Sequence, residues 1–244
     1  MHKKEDGEEI DFVKWFSEID KNSISFVGGK GANLGEIFNS KVPVPPGFVV
    51  TAQSYDYFIK KAEIRNKINI LLSHIDYENT KELDSAASSI RELIVKSSMP
   101  KEMEDEIVEA YETLGIDSEL SSNASDLLKS KASSMFVAVR SSATAEDLAE
   151  ASFAGQQDSY LNIKGSHELI THIKKCFASL FTSRATYYRN KKRFDHNKVS
   201  LAVVVQKMVD SDKSGVMFSK DPSKKNNNII IEAVFGLGEG IVSG

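Results

Sequence analysis

The change of pattern near residue 135 constrains the fold of this chain more than any other sequence feature. Between residues 62 and 132 apolar side chains recur every three or four positions, as in Ile64, Ile68 and Leu72, which predicts helices. From residue 135 onward the apolar residues fall in short runs rich in β-branched side chains, which predict strands. The predicted strands are 135–140, 159–163, 201–208, 214–219 and 229–233, with one long helix at 166–189. This arrangement predicts an α+β fold, in which helices pack on one face of a mixed or antiparallel sheet.

The region before residue 62 combines turn signals with short apolar runs. Phe26-Val27 is interpreted as strand-like, and the glycines that follow permit a tight turn into a helix from Ala32 onward. A proline-rich connector leads to a predicted buried strand at 48–51. Thr51 is predicted to cap a helix that runs from Ala52 to about Lys61. Another helix is predicted at 101–114, ended by Gly115, and 117–134 is predicted to be a mobile loop or short polar helix.

Composition narrows the classes of function. The 244 residues include 31 basic and 35 acidic side chains, a net charge of −4, and nucleic-acid-binding proteins usually carry a basic excess. No apolar run approaches the length of about 20 residues that spans a bilayer, and the charged N-terminus does not resemble a secretory signal. Cys176 is the single cysteine, and it is predicted to be a buried, inert thiol. We therefore expect a cytoplasmic protein with no nucleic-acid or membrane partner.

The segment from Val137 to Leu161 indicates a surface that handles phosphate. It combines an arginine with several hydroxyl residues and a Gly-Gln-Gln sequence, and phosphates favour a fixed guanidinium and short hydrogen-bond donors. Arg140 stands at the end of a strand, where a semi-rigid guanidinium suits phosphate binding. The alternative is a structural ion pair with Glu146 or Asp147. The hydroxyls that follow, Ser141, Ser142 and Thr144, either donate to phosphate oxygens or cap the next turn.

Two further features have a functional and a structural interpretation. The GGKG sequence around Lys30 does not match the P-loop pattern, because Lys30 is followed by Gly-Ala and not by Ser or Thr. It is either an anion-binding turn or a plain tight turn with a solvated lysine. Gln206 interrupts the apolar strand at 201–208, so it either faces a cleft or is a satisfied glutamine on an edge strand.

Five motifs together resemble a known family. In chain order they are VGGKGANLGE, VPVPPGFVVTA, VAVRSSATAEDLAEASFAGQQDSYLN, VVVQKMVDSDKSGVMFSKDP and AVFGLGEGIVSG. They resemble the N-terminal nucleotide-binding region of the phosphoenolpyruvate synthase (pyruvate, water dikinase) and pyruvate phosphate dikinase superfamily. The resemblance covers about residues 12–244 and implies an ATP-grasp-type N-terminal lobe with a helical insertion.

The resemblance also implies roles for individual residues. Lys30 and Arg140 would hold the phosphates of ATP, with Arg140 acting in catalysis. Gly155 and Ser159 would lie at the loop that covers the phosphates, where Ser159 replaces a threonine common in relatives. Gln206 would lie near the nucleotide. The implied cofactors are ATP and Mg²⁺, with the metal ligands expected outside this chain.

The resemblance places this chain within a larger enzyme. Residues 1–11 are predicted to be a disordered leader, and 12–244 the first part of the nucleotide-binding domain, with a helical scaffold at about 62–132 and a strand-rich part at about 135–244. The parent enzyme would convert ATP, pyruvate and water to AMP, phosphoenolpyruvate and phosphate through a phosphohistidine. Pyruvate and the phosphohistidine domain would therefore be partners through domains beyond Gly244. The chain alone is expected to be inactive and to bind ATP weakly.

Two alternatives remain open at this stage. The same lobe occurs in rifampicin-type antibiotic phosphotransferases, which share the nucleotide-binding region but end in different acceptor domains. The other alternative is a non-catalytic, nucleotide-binding regulatory module that acts alone.

Overall fold

A computed structural model of the chain describes residues 3–5, 8–115, 135–144, 158–223 and 226–243. The chain divides into two compact units, residues 1–207 and residues 208–244. None of the described helices is long and apolar enough to cross a membrane. The predicted loop at 117–134 lies outside the described residues, whereas part of the predicted leader is paired backbone, because Lys3–Glu5 (β1) and Glu8–Ile10 (β2) form an antiparallel ladder.

The first unit is built on a five-stranded antiparallel sheet with the order β3-β4-β7-β5-β6. The sheet is therefore antiparallel, as the α+β prediction allowed. Its strands are β3 (Val13–Trp15), β4 (Gly47–Val50), β5 (Phe136–Ala143), β6 (Ser159–Lys164) and β7 (Leu201–Lys207).

Helices lie between these strands in the sequence. They are α1 (Ile24–Asn39), α2 (Ala52–Lys61), α3 (Arg65–Ser73), α4 (Thr80–Lys96), α5 (Lys101–Leu114), α6 (Ser166–Ala178) and α7 (Ser183–Lys191). The predicted cap of α2 is confirmed, because the Thr51 side chain accepts a hydrogen bond from the Ser54 backbone N–H. The predicted helix at 101–114 is also confirmed, and Gly115 follows it as the C-cap.

One face of the sheet, which we call the scaffold face, carries the main core of the unit. Val203 and Val205 of β7 and Val139 of β5 pack there against α2 and α6. Fully buried aromatic rings join these layers, since Phe58 of α2 stacks on Phe177 of α6 with 5.9 Å between ring centroids. Side chains from α3, α4 and α5 extend the same cluster, so the predicted helical scaffold forms part of the core.

The opposite face, which we call the site face, has a smaller apolar cluster. Ala202 and Val204 of β7 contact Val27 and Ala32 of α1. Val49 of β4 and Phe16, which begins the 3-10 turn Phe16–Glu18, belong to the same cluster. Helices thus cover both faces, and the prediction of helices on one face was wrong. The alternation of Leu201 to Val205 between the two clusters explains why this run is apolar throughout: β7 is a central strand buried on both sides.

Two other local predictions were wrong. Phe26-Val27 is not a strand but part of the first turn of α1, whose helix is interrupted at Gly28. The single long helix predicted at 166–189 is two helices, separated by the 3-10 turn Ser179–Phe181. Thr182 has extended backbone angles and accepts a hydrogen bond from the Ala185 N–H, so it caps α7 as a new helix.

The second unit contains an antiparallel hairpin of β8 (Lys213–Phe218) and β9 (Ile230–Phe235). The hydroxyls of Ser211 and Ser214 both donate to the Gly236 carbonyl oxygen. The glycine-rich end of the sequence, interpreted above as a loop or turn, contains the short helix α8 (Glu239–Ser243).

Candidate nucleotide-binding site

The candidate site begins at a break in α1. Gly28 has a φ of 69° and a ψ of 171°, angles that interrupt the helix and that residues with a side chain rarely adopt. A Cβ atom at this position would lie 2.3 Å from Ser142 Oγ and 2.4 Å from the Ser142 carbonyl oxygen. The glycine thus permits both the backbone turn and the close approach of α1 to β5. The GGKG sequence therefore lies at a break within α1 that packs on β5, and not in a plain tight turn between a strand and a helix.

Lys30 lies in the first helical turn of α1 after this break. Its ammonium group donates to the carbonyl oxygen of Ser141 at 2.9 Å, across 111 residues of sequence. Lys30 is half-buried and not fully solvated. The lysine is therefore fixed beside the middle of β5, next to Arg140.

Arg140 lies on β5 at the site face. Its register partners are Val204 of β7 and Ser159 of β6, and residues directly opposite on paired strands share a face. Its Nε atom is buried and has no hydrogen-bond partner among the described residues. A buried guanidinium nitrogen without a partner is costly, and an anionic ligand would satisfy it. Glu146 and Asp147, the alternative ion-pair partners, lie outside the described residues.

The structure places two more of the predicted residues near Arg140. Ser159 is directly opposite Arg140, and its side chain is exposed. Gln206 is opposite Ala138, two residues along β5, so it is a diagonal neighbour at about 7–8 Å on the same face. Gly155, predicted to lie at the phosphate-covering loop, lies outside the described residues.

Gln206 is satisfied by the backbone, but not on an edge strand as the structural interpretation supposed. It is 8% exposed on the central strand β7, and its Nε2 donates to the Pro45 carbonyl oxygen at 3.1 Å. The adjacent Lys207 N–H donates to the Pro46 carbonyl oxygen. Gln206 thus attaches the proline-rich connector to the sheet, whatever else it contacts in a complex.

Sequence reasoning missed the contacts of Asp158, which binds Ser141 of β5, and of Tyr160, whose side chain packs against the scaffold-face core. The Asp158 carbonyl oxygen accepts from both the backbone N–H and the hydroxyl of Ser141, each at 3.1 Å. The Asp158 carboxylate in turn accepts from the Tyr160 hydroxyl at 2.7 Å. Burial and the nearby Asp158 raise the pKa of Tyr160, so this phenol stays protonated and keeps its donor. The only sequence signal was an acid just before a strand, which is too common to single out.

Cys176 and the acidic side chains among the described residues offer neither an accessible thiol nor a metal cluster. Cys176 is fully buried, as predicted, and burial and Asp158 raise the pKa of its thiol, which disfavours the thiolate. Within the described ranges, no group of three or more His, Cys, Asp or Glu side chains is placed to hold a metal ion.

The arrangement places two cations beside β5, the strand that lies between β7 and the edge strand β6. The Lys30 ammonium and the Arg140 guanidinium are attached to neighbouring positions of β5, and a hydroxyl at Ser159 lies opposite. Fixed cations and neutral donors at one place favour a polyanion such as a polyphosphate. This geometry can bind and orient phosphates, and it can offset negative charge on them.

Comparison with known proteins agrees with this chemistry. Residues 24–244 match the family described as pyruvate phosphate dikinase, AMP/ATP-binding domain. The chain belongs to this family. The resemblance inferred from the five sequence motifs is therefore confirmed.

Individual relatives carry a more specific name. The chain is 53% identical over 232 residues to a probable phosphoenolpyruvate synthase of Archaeoglobus fulgidus, covering 95% of this chain and 29% of that protein. It is 48% identical over 243 residues to a probable phosphoenolpyruvate synthase of Methanocaldococcus jannaschii, covering 98% of this chain and 19% of that protein. The phosphoenolpyruvate synthase of Pyrococcus furiosus is 45% identical over 266 residues, covering 96% of this chain and 31% of that protein. The chain thus spans about a fifth to a third of the length of these relatives.

Proposed function

We propose that this chain is the ATP-binding lobe of a cytoplasmic phosphoenolpyruvate synthase. The full-length enzyme would convert ATP, pyruvate and water to AMP, phosphoenolpyruvate and phosphate, with a phosphohistidine carrying the phosphate between sites. The names of the relatives support this activity over an antibiotic phosphotransferase or a stand-alone regulatory module. Pyruvate and the phosphohistidine would be handled by parts of the enzyme other than this lobe.

The buried, unpartnered Nε of Arg140 is the observation on which the residue assignment mainly depends. We assign the Arg140 guanidinium to the phosphates of ATP, where it would offset charge as the transferring phosphoryl group leaves. Lys30 is assigned a second phosphate contact, because its ammonium is held on the neighbouring Ser141 carbonyl. Ser159 and Gly155 would contribute to covering the phosphates, and Gln206 would lie near the nucleotide.

Magnesium is assigned to other parts of the enzyme. ATP is normally used as its Mg²⁺ complex, yet the described residues do not offer a cluster of carboxylates for the ion. The cationic groups Lys30 and Arg140 suit phosphate oxygens and would repel a cation.

Calorimetry on the full-length protein tests the assignment. In Arg140→Ala we expect ATP affinity to fall by about 10- to 100-fold, which corresponds to about 1.4–2.7 kcal/mol, because the anion loses a bidentate partner. Arg140→Lys should recover only part of this loss, since an ammonium cannot reproduce the planar fork. Arg184→Ala on the exposed surface of α7 is the matched control for removing one positive charge.

Three outcomes would contradict the proposal. Unchanged ATP affinity in Arg140→Ala would refute the role of Arg140. A wild-type protein that binds ATP but transfers its phosphate to an antibiotic and not to pyruvate would refute the proposed synthase. The chain ending at Gly244 is expected to bind ATP weakly, and a dissociation constant near about 1 μM for it would favour the stand-alone module.

A further inference from the structure

Ser142 joins the two parts of the candidate site, although its place in the sequence suggested only a phosphate donor or a local cap. We propose that Ser142 is a positioning residue that fixes Lys30 relative to Arg140 by capping, from β5, the helix that carries Lys30. This inference rests on the proposed function of Lys30 and Arg140 as the phosphate-binding pair. It assigns Ser142 no contact with ATP.

The hydrogen bonds of Ser142 support a structural and not a ligand-binding role for its hydroxyl. The side chain is fully buried, and Oγ donates to the Val27 carbonyl oxygen at 2.8 Å. The same oxygen accepts from the Gly31 backbone N–H at 3.2 Å. A serine hydroxyl can donate one hydrogen bond, and here the Val27 carbonyl oxygen accepts it. The hydroxyl therefore cannot donate to a phosphate while this contact holds.

The position of these two bonds explains why α1 needs a cap supplied from another strand. Val27 and Gly31 lie on either side of the break at Gly28, where the helix stops and starts again. The first N–H groups of a restarted helix need acceptors, and these usually come from the side chain of the residue that precedes the helix. Gly28 has no side chain. Ser142 supplies the missing acceptor across 111 residues of sequence.

Lys30 is held from two directions as a result. The residue after it, Gly31, is attached to Ser142, and its own ammonium is attached to the carbonyl oxygen of Ser141. Both anchors are consecutive residues of β5 that follow Arg140 directly. Ser142 thus fixes the position of Lys30 relative to Arg140. Without this cap, Lys30 would move more freely relative to Arg140.

Ser142→Ala in the full-length protein tests this role, with Ser54→Ala as the matched control. Ser54 is also fully buried, and its hydroxyl also donates to a backbone carbonyl, that of Phe12, at 2.8 Å. Both variants lose one buried hydroxyl, so both should lower the thermal midpoint. Only Ser142→Ala should lower ATP affinity, by about tenfold, which corresponds to about 1.4 kcal/mol.

Two readouts separate positioning from general damage. Adenosine has no phosphates, so its affinity should stay within about twofold in Ser142→Ala while ATP affinity falls about tenfold, a difference of about 1.4 kcal/mol. The effect should also disappear in a Lys30→Ala background, because a residue that acts through Lys30 has nothing to position once the ammonium is gone. Equal losses for ATP and adenosine, or full additivity with Lys30→Ala, would overturn the proposal.

Amide hydrogen exchange tests the cap independently of ATP. Exchange at Gly31 should accelerate at least about tenfold in Ser142→Ala and stay unchanged in Ser54→Ala, because a hydrogen-bonded amide exchanges only when that bond opens. Unchanged exchange at Gly31 would overturn the proposed cap. Faster exchange in a protein that does not bind ATP would support the cap and refute the proposed function, so the two failures can be distinguished.

Discussion

The two faces of the five-stranded sheet are stabilised in different ways. On the scaffold face, large apolar side chains from α2 and α6 and from the helices α3 to α5 form one extensive cluster. On the site face, the apolar cluster is small, and α1 is attached to β5 by a glycine, a hydroxyl and an ammonium group. The scaffold face depends on buried area, whereas the site face depends on individual atoms at fixed distances.

This difference indicates how each face should respond to mutation. Cores filled by many apolar side chains lose stability roughly in proportion to the volume removed, and the surrounding fold remains. The contact between Gly28 and Ser142 cannot adjust in this way, because a side chain at Gly28 would meet both the Ser142 hydroxyl and its backbone carbonyl. We expect substitutions on the scaffold face to change stability alone, and substitutions on the site face to change ATP binding as well.

The largest loss of stability is expected on the scaffold face. Phe58→Ala removes a fully buried ring that stacks on Phe177, and truncation of such a ring costs about 3–5 kcal/mol. Urea unfolding measures the loss, and calorimetry below the unfolding midpoint should give unchanged ATP affinity. A variant that stays folded but loses ATP affinity would break the distinction between the faces.

Gly28→Ala should have the next largest effect. The new Cβ would combine positive-φ strain of about 1–2 kcal/mol with a clash against Ser142, for which overpacking costs about 1–3 kcal/mol. Gly165→Ala is the control, because Gly165 has a φ of 86° but no atom within 4 Å of the added Cβ. The difference in free energy of unfolding between the variants isolates the clash. Equal losses would show that close packing on the site face is unimportant.

Acid is expected to weaken the packing around Arg189 of α7, which is buried without a carboxylate partner among the described residues. Its Nε donates to His196 Nδ1 at 3.1 Å, and its NH2 group donates to the Leu180 carbonyl oxygen. Burial lowers the pKa of Arg189 to about 10. Burial and then the Arg189 charge lower the pKa of His196 to about 4, against an opposing effect of Asp195.

The sign of the pH effect follows from this lowered pKa. Unfolded His196 titrates near pH 6.5, so the unfolded state takes up a proton first as the pH falls. Stability is therefore complete above about pH 6.5 and is lost between pH 6.5 and about 4, by roughly 1–2 kcal/mol after allowing for partial exposure. Urea unfolding of wild type and His196→Asn at pH 7 and pH 4.5 measures this. Identical pH slopes in the two proteins would exclude His196 as the cause.

The smallest effect is expected at the N-terminus of α4. Asn79 caps α4 by accepting from the backbone N–H groups of Lys81 and Glu82, and removal of such a cap costs about 1 kcal/mol. Asn79→Ala should lower the free energy of unfolding by this amount in a urea titration. ATP affinity should be unchanged, and a measurable loss would mean that the scaffold and the site are coupled more closely than their contacts indicate.

The sequence alone predicted much of the fold and proposed the residues of the candidate site. Local sequence patterns predicted α2 with its Thr51 cap and the helix at 101–114. Such patterns suffice because helix propensity and capping act over a few residues. The β-branched run at Leu201–Lys207 predicted a strand for the same reason. The five motifs identified the family, and Arg140 and Lys30 were singled out by their chemistry.

Only the tertiary structure decided how these parts meet. Gln206 turned out to lie on a central strand and to bond to Pro45, and Phe26-Val27 turned out to be helical, because packing against the sheet overrides a local strand preference. The Ser142 cap joins residues 111 positions apart, so no local pattern could reveal it. The sequence determines which donors, acceptors and charged groups are available. The pairing of β5 with β7 and its packing against α1 determine which of these groups meet, because hydrogen bonds depend on distance in space and not along the chain.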